Sequence, residues 1–166
     1  MNKAVFFDRD GVLNRDIGYL YRIEDFHWIK GAIESIKKFN ERNYYTFVVT
    51  NQSGVARGYY TEQDIKILHN WINTQLTKYG AHIDEFFYCP HYEYGIIKRY
   101  SHFCECRKPN PKMIDDACKK YYLNKKMSLL IGDRDSDIIC AKNAGIKGYK
   151  FVGNDLFDFI NNIIFK

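Results

Sequence analysis

Ala4-Val5-Phe6-Phe7-Asp8-Arg9-Asp10-Gly11 is the stretch whose reading decides the fold. Four apolar residues stop abruptly at a carboxylate, and a second carboxylate and a glycine follow at once. A short run with no polar alternation reads as a strand covered on both faces, as in the middle of a parallel sheet. Ligands of such sheets bind beyond the carboxyl ends of the strands. Asp8 and Asp10 therefore stand where a ligand would be met.

Working outward, the same pattern recurs. Residues 31–42 place Ile33, Ile36 and Phe39 on one helical face, and residues 45–49 form a second apolar run ending in Thr50-Asn51. Thr61 is a helix cap, with Ile65, Leu68, Ile72 and Leu76 at helical spacing before a stop at Gly80. Residues 83–88 predict a third strand, and residues 89–107, rich in Tyr, His and Cys, a loop. Pro109 and Pro111 mark a helix start, with Met113, Ile114, Ala117 and Tyr121 as its apolar face. Residues 128–131 read as a fourth strand ending at Gly132-Asp133, 135–144 as a helix closed by Gly145, 147–152 as a fifth strand and 155–165 as a terminal helix. Strands alternating with helices predict an α/β fold: a three-layer, doubly wound, Rossmann-like and mainly parallel sheet.

The bulk numbers agree with a single domain over residues 1–166. Hydrophobic residues make up 46% and charged residues 27%, the balance of a globular chain. The net charge of +5 fits bound phosphate esters as well as nucleic acid, but the basic residues are dispersed, and no nucleic-acid partner is expected. No apolar run reaches the ~18 residues a membrane span needs, and the one before Asp8 is too short for a signal peptide. The expectation is a cytoplasmic monomer whose five cysteines are reduced and which has no membrane partner.

Four polar clusters fall at strand or helix ends: Asp8-Arg9-Asp10, Thr50-Asn51, Arg107-Lys108 and the segment from Asp133 to Asp137. Together they supply the parts of phosphoryl transfer through a carboxylate. Asp8 suits the nucleophile, and Asp10 the acid that protonates the leaving alkoxide and then the base that activates water. Asp8, Asp133 and a backbone carbonyl in the Asp10 loop suit Mg2+, which prefers oxygen ligands. Thr50 and Lys108 would hold the phosphoryl oxygens.

These four motifs resemble those of the haloacid-dehalogenase-like phosphatases, and the resemblance spans nearly the whole chain. It implies a nucleophile at Asp8, acid/base at Asp10, Mg2+ on Asp8, Asp10 and Asp133, and a sheet of strand order 3-2-1-4-5. For Asp137 two roles stand open: a partner of the metal through water, or a helix N-terminal residue favoured by the helix dipole. The interval of 42 residues from Asp8 to Thr50, and the one from Thr50 to Lys108, are used up by core elements, so no cap domain is expected.

Cys89, His91, Cys104 and Cys106 form two short ligand pairs with twelve residues between His91 and Cys104, a Cys3His set suited to tetrahedral Zn2+. Three thiolates and an imidazole leave no position for water, so the zinc would be structural, fixing a loop that has little core. His102 is the alternative to His91; the paired C-x-H and C-x-C spacing favours His91. Cys118 and Cys140 lie within helices and are expected in the core, and His27, His69 and His82 have surface or satisfied roles.

The capless subgroup with such a loop includes heptose-1,7-bisphosphate 7-phosphatases and histidinol-phosphate phosphatases, and the text from Phe7 to Asn14 is more similar to the former. That resemblance implies a hydrolase of a sugar bisphosphate in nucleotide-heptose biosynthesis, serving lipopolysaccharide core or capsule, with substrate contacts from Asp16, Ile17, Gly18, Tyr19, Thr50, Asn51, Gln52, Ser53, Arg107, Lys108 and Arg134. A second phosphate explains why Arg107 stands beside Lys108, since a guanidinium grips a phosphate with two parallel bonds. Arg57 is either a second such group or a solvated charge. A histidinol-phosphate enzyme would instead want a carboxylate for the substrate's ammonium, such as Asp16 or Glu24. A zinc module without activity is the remaining alternative, against which the paired Asp8 and Asp10 stand.

Overall fold

The computed structural model describes all of residues 1–166. Its sheet is wholly parallel: β1 (Ala4–Phe7) lies between β2 (Tyr45–Asn51) and β4 (Leu129–Gly132), with β3 (Glu85–Cys89) and β5 (Lys147–Lys150) at the edges, in the order β3-β2-β1-β4-β5. All four residues of β1 are fully buried, and their alternation explains why. Val5 and Phe7 pack with residues of α1 (Ala32–Glu41), α2 (Glu62–Thr77) and α5 (Leu156–Ile163). Ala4 and Phe6 face the opposite way, toward α3 (Lys112–Lys120) and α4 (Asp135–Ala144). Two cores flank one sheet, the three-layer arrangement expected from the unbroken apolar runs. Each phenylalanine of β1 contributes on the order of 2 kcal/mol by leaving water.

Local chemistry sets the element ends. Thr61 and Asp64 form a reciprocal capping box at the start of α2. Gly145 closes α4 in the left-handed conformation that costs glycine little. Several boundaries differ from the sequence reading by one to three residues. The third strand runs two residues later, at Glu85–Cys89, because Asp84 turns back to accept from the Thr46 amide and hydroxyl. Helix α3 begins after Pro111, not at Pro109, and β5 stops at Lys150. Cys118 and Cys140 are buried as expected, and no helix is long and apolar enough to cross a membrane.

A third, smaller cluster of Val55, Ala56, Tyr60, Ile65 and Tyr100 lies under the loops beyond the strand ends, backed by Tyr21, Tyr88 and Tyr92. It gives those loops a packed base of their own.

Candidate active site

The carboxyl ends of β1, β2 and β4 open into a cavity of about 580 Å3. Its floor is Asp8, whose amide still belongs to the sheet and donates to Ile131 O at 3.0 Å. The chain then reverses: the Arg9 carbonyl accepts from the amides of Val12, Leu13 and Asn14, and Gly11 takes φ +88°. A Cβ at Gly11 would lie 2.1 Å from Asp133 Oδ2, so only glycine lets the two loops approach this closely.

Lys108 Nζ donates to Asp8 Oδ1 at 2.9 Å and to Asp137 Oδ1 at 2.7 Å. All three side chains are at least nine-tenths buried. The lysine is held in place by Asn51, whose side-chain amide donates to Lys108 O and whose carbonyl accepts from Lys108 N. Sequence reading gave Asn51 to the substrate; here its side chain is a clamp on the lysine.

Asp8, Asp133 and Asp137 each bring a carboxylate oxygen within 4.8 Å of the other two. Burial pushes the Asp8 carboxyl up to about 8; Lys108 pulls against it, and the Asp137 charge adds to the rise. Against the cost of burial, the Asp8 and Asp137 charges push the Lys108 ammonium up, so it stays protonated. Burial also raises Asp133, and its Oδ1 is enclosed without any hydrogen-bond partner. An enclosed carboxylate oxygen with no donor, beside two further carboxylates and one cation, suits a hard divalent ion such as Mg2+. Asp137 lies in this cluster, and its Oδ2 accepts from the Arg134 amide at the start of α4.

The Asp10 carboxylate lies outside the cluster, in a cage of donors. Arg9 reaches it through Nε and Nη2, Asn14 Nδ2 at 2.9 Å and Gln52 Nε2 at 3.1 Å. Arg9 is fully buried, donating also to Leu20 O at 2.8 Å and lying 3.2 Å from His69 Nε2. Its role was invisible in sequence, where it stood only as the middle residue of a motif. His69 is buried and stacked on Phe86, a satisfied residue and not a surface one.

The cavity walls carry the remaining residues expected at the site. Asp16, Gly18, Tyr19, Thr50, Asn51, Gln52, Ser53, Arg107 and Arg134 line it, and Ile17, 54% exposed, does not. Arg134 Nη2 bridges to Asp16 Oδ2 at 2.8 Å across the mouth. Arg57 and Arg107 both lie against the ring of Tyr92, at 4.1 and 5.3 Å from its centroid, and Arg107 Nη1 is buried without a partner. Tyr60 and Ser136 also reach the cavity and were not anticipated. The strand-end rule locates the floor of a site, whereas these two come from helix starts.

Below this wall, Cys89, His91, Cys104 and Cys106 converge, with all four candidate ligand atoms within 4.8 Å of one another. His91 turns Nδ1 toward Cys89 and Cys106 at 3.8 and 3.6 Å. The His102 ring lies beside His91, tilted by 41°, and its Nδ1 faces Phe103 O. The bond with Cys89 and burial push the Cys106 thiol up, and burial pushes up Cys104. Thiols crowded this way need a cation to ionise together, and the donor set fits zinc.

Comparison with known proteins gives this geometry its place. The chain is 44% identical over 144 residues to D-glycero-alpha-D-manno-heptose-1,7-bisphosphate 7-phosphatase of Photorhabdus laumondii, covering 87% of this chain and 79% of the relative. It is 42% identical over 161 residues to the D-glycero-beta-D-manno-heptose-1,7-bisphosphate 7-phosphatase of Rhodopseudomonas palustris, covering 97% and 89%. This chain belongs to the heptose-bisphosphate phosphatase family of HAD-like hydrolases. Members of that family are phosphoric monoester hydrolases, and the cavity has the parts such an enzyme needs. A family model described as "HAD-hyrolase-like" matches residues 105–150, the segment from Glu105 through β5. Among solved structures, the D,D-heptose 1,7-bisphosphate phosphatase of B. bronchiseptica, complexed with magnesium and phosphate, superposes with a TM-score of 0.81 at 26% identity, over 96% of this chain and 84% of that one.

Proposed function

We propose that this enzyme removes the 7-phosphate of D-glycero-D-manno-heptose 1,7-bisphosphate, working as a monomer with one capless domain. The observation that carries the reading is the presence of two phosphate-holding regions in one cavity. Lys108 serves the floor, and Arg107, with a buried and unpartnered Nη1, serves the wall beside Arg57. A single phosphate ester would leave the second region unused. The two carboxylates that could have met the ammonium of histidinol phosphate are each paired, Asp16 with Arg134 and Glu24 with Arg22. What the relatives act on supports the same substrate class.

In the first step an Asp8 oxygen attacks phosphorus and the bond to the sugar oxygen breaks, while Asp10 gives that oxygen a proton. In the second, Asp10 takes a proton from water as the water oxygen attacks phosphorus, and the bond to Asp8 breaks to release phosphate. Thr50 and Lys108 hold the phosphoryl oxygens. Mg2+, held by Asp8, Asp133 and the Asp10 carbonyl, would supply the charge that offsets repulsion between carboxylate and phosphate. Zn2+ on Cys89, His91, Cys104 and Cys106 would fix the loop that carries Tyr92 and leads into Arg107.

The experiment is phosphate release from both anomers of the heptose bisphosphate, from histidinol phosphate and from simple sugar phosphates. A preference of more than about tenfold in kcat/KM, some 1.4 kcal/mol, for one bisphosphate is expected. A smaller one, or a preference for histidinol phosphate, would overturn the assignment.

A further inference from the structure

Gln52 is 2% exposed, and its side-chain amide is spent inside the protein. Its Nε2 donates to Asp10 Oδ2 at 3.1 Å and to Thr50 Oγ1 at 2.9 Å, and its Oε1 accepts from the hydroxyl of Tyr60. Asp10 accepts from Arg9 and Asn14 as well, and this sets which way the amide points: the NH2 faces Asp10, and the oxygen then faces Tyr60. Burial pushes the Tyr60 phenol up to about 12, so it remains a donor across neutral pH. Tyr60 has little freedom to leave. Its ring stacks on Tyr21 and packs so tightly on Gly54 that a Cβ there would sit 2.1 Å from it. Thr50 accepts one of the Gln52 protons, which leaves its own O–H for a ligand in the cavity.

We propose that Tyr60 is a positioning residue for the hydrolysis: through Gln52 it holds the acid/base Asp10 and the phosphate-holding Thr50 in one hydrogen-bonded frame. The phenol hydroxyl is bonded to Gln52 and not to Asp8, Asp10 or Thr50. Without its proton the Gln52 oxygen loses its partner, and the amide is held only through the two bonds of Nε2, which loosens the frame around Asp10 and Thr50. The inference rests on the roles given above to Asp10 and Thr50, not on which sugar is the substrate.

The test compares two leaving groups. A sugar alkoxide needs the proton of Asp10 to depart, whereas p-nitrophenolate departs without one. The parameter kcat/KM reports only the steps up to departure. Tyr60→Phe is expected to lower kcat/KM by about tenfold for the preferred sugar phosphate and by no more than about threefold for p-nitrophenyl phosphate, well within what a mispositioned general acid costs. Gln52→Leu, of nearly the same shape, is expected to show the same imbalance, larger. Equal losses on both esters, or none on either, would overturn the proposal. A failed bisphosphate preference in the unmodified enzyme would sink the substrate assignment alone, because the ratio between the two esters is still read with whichever alkyl phosphate is turned over.

Discussion

Lys108 stands 2.9 Å from Asp8 and belongs to it in a specific sense: it is the only basic side chain bonded to the three-carboxylate cluster of Asp8, Asp133 and Asp137. The two residues should therefore respond to substitution in opposite directions. Lys108→Met removes the cation from a buried set of acids and is expected to destabilise the metal-free protein by about 3 kcal/mol. Asp8→Asn removes one of the mutually repelling charges and is expected to leave metal-free stability unchanged or higher. Both should abolish phosphate release. Thermal unfolding after treatment with a chelator checks the pair; parallel losses of stability would contradict it.

His69 sets an acid limit. Burial, reinforced by the Arg9 guanidinium, holds its imidazole well below the usual value, so it is neutral in the fold and protonates near pH 6.5 once unfolded. Below that pH the unfolded chain binds the extra proton. The stability His69 contributes is then present above pH 6.5 and lost as pH falls, with a slope of up to about 1.4 kcal/mol per pH unit. His69→Gln retains an acceptor for Arg9 and should flatten the decline in Tm between pH 6.5 and 5. An unchanged decline would place the acid sensitivity elsewhere.

The sheet and the floor of the site were legible in sequence because each depends on short-range pattern. Apolar runs ending at Asp8, Thr50 and Asp133 fixed the strands, and the strand ends fixed what converges. Arg9, His69 and Tyr60 were not legible. Arg9 meets His69 across 60 positions and Tyr60 meets Gln52 across a turn, so each contact exists only once helix α2 has docked on the sheet. Nothing in the local text separates a buried arginine from a solvated one. Ile17 was carried along with its neighbours in a motif, and it is the one residue of that segment outside the cavity lining.

For the loop of Cys89 to Cys106, elemental analysis should find about one zinc per chain, as a closed four-ligand site requires. Cys104→Ser is expected to release it and to lower Tm by about 5 °C or more. Full zinc content in that variant would remove Cys104 from the ligand set.

Arg107→Ala addresses the second phosphate. Losing a charged, two-pronged contact should raise KM for a bisphosphate by about ten- to a hundredfold while leaving kcat nearly constant. The same change should leave a sugar monophosphate with its original KM. If both substrates weaken alike, Arg107 grips the transferred phosphoryl group and not the distal one.

The central place of β1 has a further meaning. Asp8 hangs from a strand bonded on both sides and fully buried, whereas Arg107 follows directly on a loop that lacks a large core and in which Cys89, His91, Cys104 and Cys106 converge. Amide exchange should be slowest around Phe6 and Phe7 and fastest between residues 92 and 103. On the roles proposed above, the part that breaks bonds and the part that chooses the molecule would melt separately. A chain stripped of its staple would become an indiscriminate phosphatase before it became an inactive one.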